Sequence, residues 1–254
     1  HNSRIFSDAE IVVSNTQAEN VLTQIEKDQW VYIDPARRDQ LQKKVFKLED
    51  CSPNLAAILP RMLKKGANIM MKLSPLLDIS ELTNELKPET IYVIAVNNEV
   101  KELLAVRTTA SSSNPSIQTV DLSDNHVTSF NFQYSEEKNA ETNTAPPEEF
   151  LYEPNAAIMK SGAFKLIGKA YGLHKLHQNT HLYTSNKLLE DLPGRVFKTL
   201  HSVTSKELKR AYTGSDLHVI SRNHPLNATE ITKKFQLKET GNKYLLAFTD
   251  HIDK

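Results

Sequence analysis

The chain has 254 residues, 39% apolar and 7% aromatic, and its 31 Lys and Arg are balanced by 31 Asp and Glu. That length suits one large domain or about two or three small ones, and the zero net charge carries no whole-chain signature of a nucleic-acid binder. No apolar run approaches the roughly 18 residues a membrane span needs. Cys51 is the single cysteine, which excludes a disulfide framework and favours a reducing compartment, read here as the cytoplasm. The opening HNSRIFSDAE has neither the apolar core nor the small-residue cleavage site of a signal peptide. It lacks an initial Met and is read as the start of a trimmed chain. Asn227-Ala-Thr229 fits the glycosylation pattern, a chance match in a cytoplasmic protein.

In chain order, Ile11–Asn15 reads as a short β-branched strand. Thr16 is placed to cap a helix whose face carries Ala18, Val21, Leu22 and Ile25. Trp30–Asp34 is a second apolar strand, stopped by Pro35, and residues 36–52 are polar and irregular. Leu55, Ile58, Leu59, Met62 and Leu63 repeat at helical spacing up to Gly66. Ala67–Leu73 is another strand, and Ile79, Leu82 and Leu86 mark a helix that closes near Pro88. Strands that alternate with helices and are apolar throughout predict a parallel sheet covered on both faces.

From Thr90 the rhythm changes. Ile91–Val96 and Val100–Arg107 flank Asn97-Asn98, residues that accept the positive φ of a hairpin turn. Ile117–Leu122 and Val127–Phe132 form a second hairpin around Ser123-Asp124-Asn125. Residues 135–149, SEEKNAETNTAPPEE, read as an acidic linker. Beyond Phe150 the chain predicts a helix over Ala163–Leu173, a strand at Val196–Val203, a helix at Ser205–Tyr212 and a strand at Leu217–Arg222. A helix at Ala228–Phe235 and a strand at Lys243–Thr249 complete a small α+β module. Between Ala156 and Arg222 there are eleven Lys and Arg against four Asp and Glu, together with five of the nine histidines. This local surplus fits either a polyanionic partner or a mixed surface without one.

Ligands of open α/β sheets sit beyond the carboxyl ends of the strands. The readable ends are Asn15-Thr16-Gln17, Asp34-Pro35-Ala36-Arg37-Arg38 and Lys72-Leu73-Ser74-Pro75. Asp34 is costly to bury alone, so it points into a crevice or pairs with Arg37, Arg38 or Lys72. A plain Asp-Pro turn is the structural alternative. Three rival sites are readable. Cys51 could serve as a nucleophile, but no nearby His is available to lower its pKa. His174, His177 and His181 have ligand-like helical spacing, but Asn179-Thr180 interrupts it and no Cys or carboxylate nearby completes the set. Lys160, Lys165 and Lys169 share a helical face with Gly162 and Gly168, as an RNA-facing stripe or a solvated one.

VYIDPARRD at Val31–Asp39, the PxLxxxLPxxL-like Pro53–Leu63 and IMMKLSPLLDI at Ile69–Ile79 resemble bacterial class I S-adenosylmethionine-dependent methyltransferases with a C-terminal THUMP-like domain. EPNAAIMKSGAF (Glu153–Phe164), GLHKLHQNTHLYTS (Gly172–Ser185) and PGRVF (Pro193–Phe197) resemble that THUMP-like domain, and Ile91–Leu104 the hairpin between the two parts. The implied fold is α/β: the C-terminal part of a Rossmann-like methyltransferase sheet over 1–89, a β-hairpin (ferredoxin-like) subdomain over 90–134, the acidic linker 135–149, and a THUMP-like α+β domain over 150–254.

The resemblance implies that Asp34, Pro35, Ala36 and Arg37 are the catalytic motif at the fourth strand, which reads DPPY or NPPY in related base methyltransferases. Here Ala36-Arg37 stands where Pro-Tyr would be, although an Arg plane also stacks on bases. Gln17 and Asp34 would touch the cofactor, S-adenosylmethionine. Arg38, Lys72 and Ser74 would line the target pocket, and Lys160, Lys165, Lys169, Lys175 and Arg195 would contact structured RNA. The family's Gly-rich cofactor loop has no counterpart, since the first glycine is Gly66. The first two βα units are therefore expected upstream, and this chain alone should bind the cofactor weakly or not at all. No metal and no membrane are implied. A noncatalytic RNA-binding scaffold with a degenerate methyltransferase half is the alternative, and methylation of a small molecule or protein a third.

Overall fold

The structure is a computed structural model that describes residues 13–37, 51–110, 112–123 and 126–250, with backbone only at Ala36 and Arg37. The chain divides into two units, His1–Glu89 with Leu104–Ser113, and Thr90–Leu103 with Asn114–Lys254.

In the first unit, α1 (Ala18–Val21) runs into a 3₁₀ turn at Leu22–Gln24. Thr16 does not cap it. Gln17 is the N-cap residue and makes no side-chain cap, while Thr16 Oγ1 accepts from Asn20 Nδ2 at 3.2 Å. Val13–Asn15 form no strand; Ile11 and Val12 lie outside the described residues. β1 (Trp30–Ile33) pairs in parallel with β4 (Asn68–Leu73), from Trp30↔Asn68 to Ile33↔Met71. Between them, β2 (Ala36–Arg37) and β3 (Cys51–Ser52) make a two-residue antiparallel ribbon, so both ends of the stretch expected to be irregular are ordered.

α2 (Leu55–Lys64) buries Leu55, Ile58, Leu59 and Met62 on one face and is capped by Asn54. Gly66 follows at φ +81°, and a Cβ there would lie 2.9 Å from Lys27 Cγ, so glycine suits the turn twice over. α3 (Ile79–Leu86) starts at Asp78, whose Oδ1 accepts from the Ser80 and Glu81 amides at 2.7 and 3.2 Å. β4 alternates buried and half-buried residues. β1 departs from the expectation of a sheet covered on both faces, because Trp30 and Tyr32, on one face, are each 58% exposed. β1 has no strand on its other edge among the described residues.

In the second unit, β5 (Thr90–Val96) turns through Asn97 and Asn98, at φ 50° and 62°, into β6 (Glu99–Arg107), whose residues from Leu104 on are counted with the first. Two left-handed residues are what a two-residue hairpin demands. β7 (Ser116–Ser123) pairs antiparallel with β8 (His126–Gln133) and parallel with β5, so the two predicted hairpins join one mixed sheet. The first residues of the stretch read as a linker are helical, and residues 140–148 have almost no regular structure. α4 (Tyr134–Asn139) carries a capping box between Gln133 and Glu136, and Ala145 N donates to Lys175 O at 2.9 Å. The chain's lack of apolar residues there is offset by hydrogen bonds to its neighbours.

β9 (Phe150–Pro154) is followed by two short helices, α5 (Ala156–Ser161) and α6 (Leu166–Tyr171), each ended by a left-handed glycine, Gly162 and Gly172. The second lies within the predicted helix Ala163–Leu173 and ends at Gly172 as expected; the first precedes it. β10 (His174–His177), β11 (Thr180–Ser185) and β12 (Gly194–Lys198) complete an antiparallel sheet in the order β10-β11-β9-β12. α7 (Ser205–Ala211) precedes a parallel β13-α8-β14 unit of His218–Arg222, Ala228–Phe235 and Tyr244–Phe248. Its core joins Leu208, Leu217, Val219, Ile231, Phe235 and Leu237. No helix among the described residues is long and apolar enough to cross a membrane.

β12 lies so close to β9 that a Cβ on Gly194 would meet the Glu153 carbonyl oxygen at 2.2 Å. Gly194→Ala should force the strands apart and cost about 1–3 kcal/mol, the usual penalty of overpacking. Thermal denaturation checks this; an unchanged Tm would mean that the strand edge yields freely.

Candidate functional site

Two regions bring candidate side chains together. The first stands at the carboxyl ends of β1 and β4. The register Ile33↔Met71 makes Asp34 and Lys72 neighbours, and Lys72 Nζ lies 2.6 Å from Asp34 Oδ2. Of the alternatives left open by the sequence, the carboxylate takes the lysine of the adjacent strand. The side chains are 32% (Lys72) and 51% (Asp34) exposed, so the pair contributes only about 0–1 kcal/mol to stability. A substrate N–H can therefore compete for this carboxylate at little cost to the fold. Ser74 follows β4, and its Oγ accepts from Leu76 N at 3.3 Å.

Pro35 leads directly into β2, whose Arg37 stands opposite Cys51 in register. Spacing alone had not brought Cys51 beside the Asp34 motif. Gln17 is exposed at the start of α1. Arg38 lies outside the described residues, as do the side chains of Ala36 and Arg37.

The second region is in β9–β14, and it rearranges the predicted basic stripe. Lys160 lies in the last turn of α5, Lys165 is the N-cap residue of α6 and Lys169 lies in the last turn of α6. They do not share one helical face, because Gly162 breaks the helix between them. Lys165 Nζ donates to Lys138 O at 3.2 Å, and Lys169 is exposed.

Lys175 is not a surface phosphate contact, since it is only 2% exposed. Its ammonium donates to Gln178 O at 2.5 Å and lies 3.4 Å from His181 Nδ1. Burial lowers its pKa, an effect opposed by the nearby Glu137 carboxylate. Glu137 itself accepts from the amides of Lys165, at 2.9 and 3.1 Å, and Leu166, at 2.9 Å. Desolvation nevertheless raises its pKa. Tyr183 donates to Phe164 O at 2.6 Å, and burial pushes its phenol upward.

The three histidines predicted on a helix lie on strands instead, His174 and His177 on β10 and His181 on β11. His177 Nδ1 accepts from Asn179 N at 3.1 Å. His181 stacks on Phe164 at 3.8 Å between ring centroids. No group of three metal-binding side chains exists among the described residues.

Arg195 binds Glu153 through Nε, at 2.9 Å, and through Nη2. Arg222 reaches the other oxygen of the same carboxylate. The Glu153 side chain is 7% exposed, and the two guanidinium groups are 43% and 44% exposed. Two cavities flank this cluster. One, of about 310 Å³, is lined by Arg195, Arg222, His218 and Tyr244 among others. The other, of about 200 Å³, is lined by Asn98, Asp121, Glu153 and Arg195 among others. Sequence reasoning named Arg195 but missed Glu153 and Arg222. An acid inside the apolar run Phe150–Pro154 was the available signal for Glu153; Arg222 had none.

A family model described as a ferredoxin-like domain matches residues 150–193, the span from β9 through β11. Two uncharacterized S-adenosylmethionine-dependent methyltransferases of Mycobacterium tuberculosis, from strains CDC 1551 and H37Rv, are each 24% identical over 190 residues, covering 74% of this chain and 49% of their own length. A crystal structure described as that of a candidate methyltransferase from Porphyromonas gingivalis W83 superposes with a TM-score of 0.80 at 30% identity, covering 89% of this chain and 57% of that one. The chain thus spans about half the length of the curated relatives it matches. These relatives are methyltransferases by description, and the fold shared with the Porphyromonas gingivalis structure is mixed α/β.

Desolvation, aided by the Lys175 charge, lowers the His181 pKa to about 4, from 6.5. The unfolded chain then takes up a proton that the folded chain refuses as pH falls below 6.5. The resulting stability is fully present above pH 6.5 and is lost progressively towards pH 4. His181→Asn keeps an acceptor near the Nδ1 position but does not titrate. The wild type should lose more Tm than this variant between pH 6.5 and pH 4; equal losses would show that His181 titrates normally.

Proposed function

We propose that the chain is the target-binding and accessory part of an S-adenosylmethionine-dependent methyltransferase that acts on RNA in the cytoplasm. The observation that carries this reading is Asp34, held beside Lys72 at the carboxyl end of a parallel strand pair, where open α/β sheets bind their ligands. The descriptions of the relatives support the reaction class.

In this reading the Asp34 carboxylate accepts an N–H of the target base in place of Lys72. The Pro35 and Ala36 backbone shapes the floor, Lys72 and Ser74 line the pocket, and Arg37 and Arg38 are assigned to target binding by their place in the motif. Orientation of the nucleophile is the chain's main contribution. The domain spanning 150–254, read as THUMP-like, holds the RNA through phosphate contacts, which position a substrate without reading its sequence.

Gln17 is exposed, and Gly66 closes a helix-to-strand turn against Lys27. We therefore assign cofactor binding to preceding βα units of a longer protein, and the exposed Trp30 and Tyr32 on β1 suit a covering segment. A second reading, a noncatalytic RNA-binding scaffold, is favoured by one observation: Ala36-Arg37 occupies the place of Pro-Tyr.

Calorimetry distinguishes the two readings. The longer protein should bind S-adenosylmethionine with a measurable heat, and this chain alone should not. No binding by the longer protein would leave the scaffold reading.

A further inference from the structure

We infer that the cavity between β12, β13 and β14 receives an unpaired nucleotide of a single-stranded RNA segment. This rests on the RNA reading above and deepens it by naming the strand form and the place. Tyr244 offers the base platform. It is 43% exposed, and two rings steady it: Phe197 meets it edge-on at 5.0 Å, and His218 lies 5.3 Å away. His218 is its register partner across the β13–β14 pair. A half-exposed aromatic face held by its neighbours is what sequence-tolerant base stacking needs.

The phosphate side is built from Arg195 and Arg222, which line the same cavity of about 310 Å³. Their shared partner, Glu153, is buried and fixes both guanidinium groups. One carboxylate between two guanidinium groups leaves that cluster, by itself, one positive charge in surplus. Each arginine also keeps donor groups beyond those given to Glu153. Arg195 further lies 5.6 Å from the Phe197 ring centroid, which links the cationic wall to the aromatic one. Glu239 also lines the cavity; its carboxylate balances that surplus over the lining as a whole and disfavours a second phosphate there. The surrounding segment, with eleven basic against four acidic residues, draws the strand towards it.

Fluorescence anisotropy of this chain with a labelled eight-nucleotide RNA of mixed sequence, and with a blunt RNA duplex, tests the assignment. The single strand should bind more tightly than the duplex at low salt. Tyr244→Ala should weaken it about five-fold or more, the effect of one lost base stack, while Tyr244→Phe should bind as the wild type does. Arg195→Gln should lower the slope of log affinity against log salt by about one. Unaltered Tm values keep the comparison about binding; if Tyr244→Ala fails to fold, the arginine slope and the strand preference decide. Preference for the duplex, or binding indifferent to both residues, would overturn this site and leave the RNA reading standing. No binding to either RNA would overturn both.

Discussion

Parallel pairing of β1 with β4 is the constraint on which the candidate site depends. The register sets Ile33 against Met71, and the next residue on each strand is then an acid and a base side by side. Pro35 stops the ladder at that point, because it has no N–H to donate. The resulting pair is partly exposed. Its value lies in position: it presents a carboxylate at the strand end while its fold energy stays small enough for a ligand to displace the lysine.

The second unit handles charge in another way. Glu153, Glu137 and Lys175 are drawn into the protein, and each is met by several partners. Glu153 has two arginines, Glu137 caps α6, and Lys175 has a carbonyl and the neutral His181. Buried charges are tolerated only under such conditions. The arrangement around Lys175 removes one predicted RNA contact from the surface. The arrangement around Glu153 does the reverse, because it holds two arginines rigid at a cavity mouth.

The fold was legible where periodicity was strong. α2, α3, β4 and the β5–β6 hairpin fall within a residue or two of their predicted spans, since amphipathic spacing and the Asn97-Asn98 turn are local signals. Long-range pairing was not legible. Nothing local says that β7 lies parallel to β5, or that Arg37 stands opposite Cys51. Residues 135–149 have almost no apolar side chains, and composition does not reveal that Glu137 and Ala145 dock through hydrogen bonds. The histidines misled: i, i+3 and i+7 spacing fits a helix, but Gly172 ends the helix before they begin. At the site, Asp34 and Lys72 were both named from their strand ends, whereas the Glu153 cluster depends on side chains 42 and 69 residues apart.

The proposed role of Asp34 is to orient a target base for methylation. The most direct measurement is transfer of tritiated methyl from S-adenosylmethionine into RNA by the longer protein, comparing the wild type with Asp34→Ala. The account predicts label in the RNA and a loss of about 100-fold in the variant, the scale expected when a reacting group is misplaced. Label that is undiminished by Asp34→Ala, or no label in RNA at all, would contradict it.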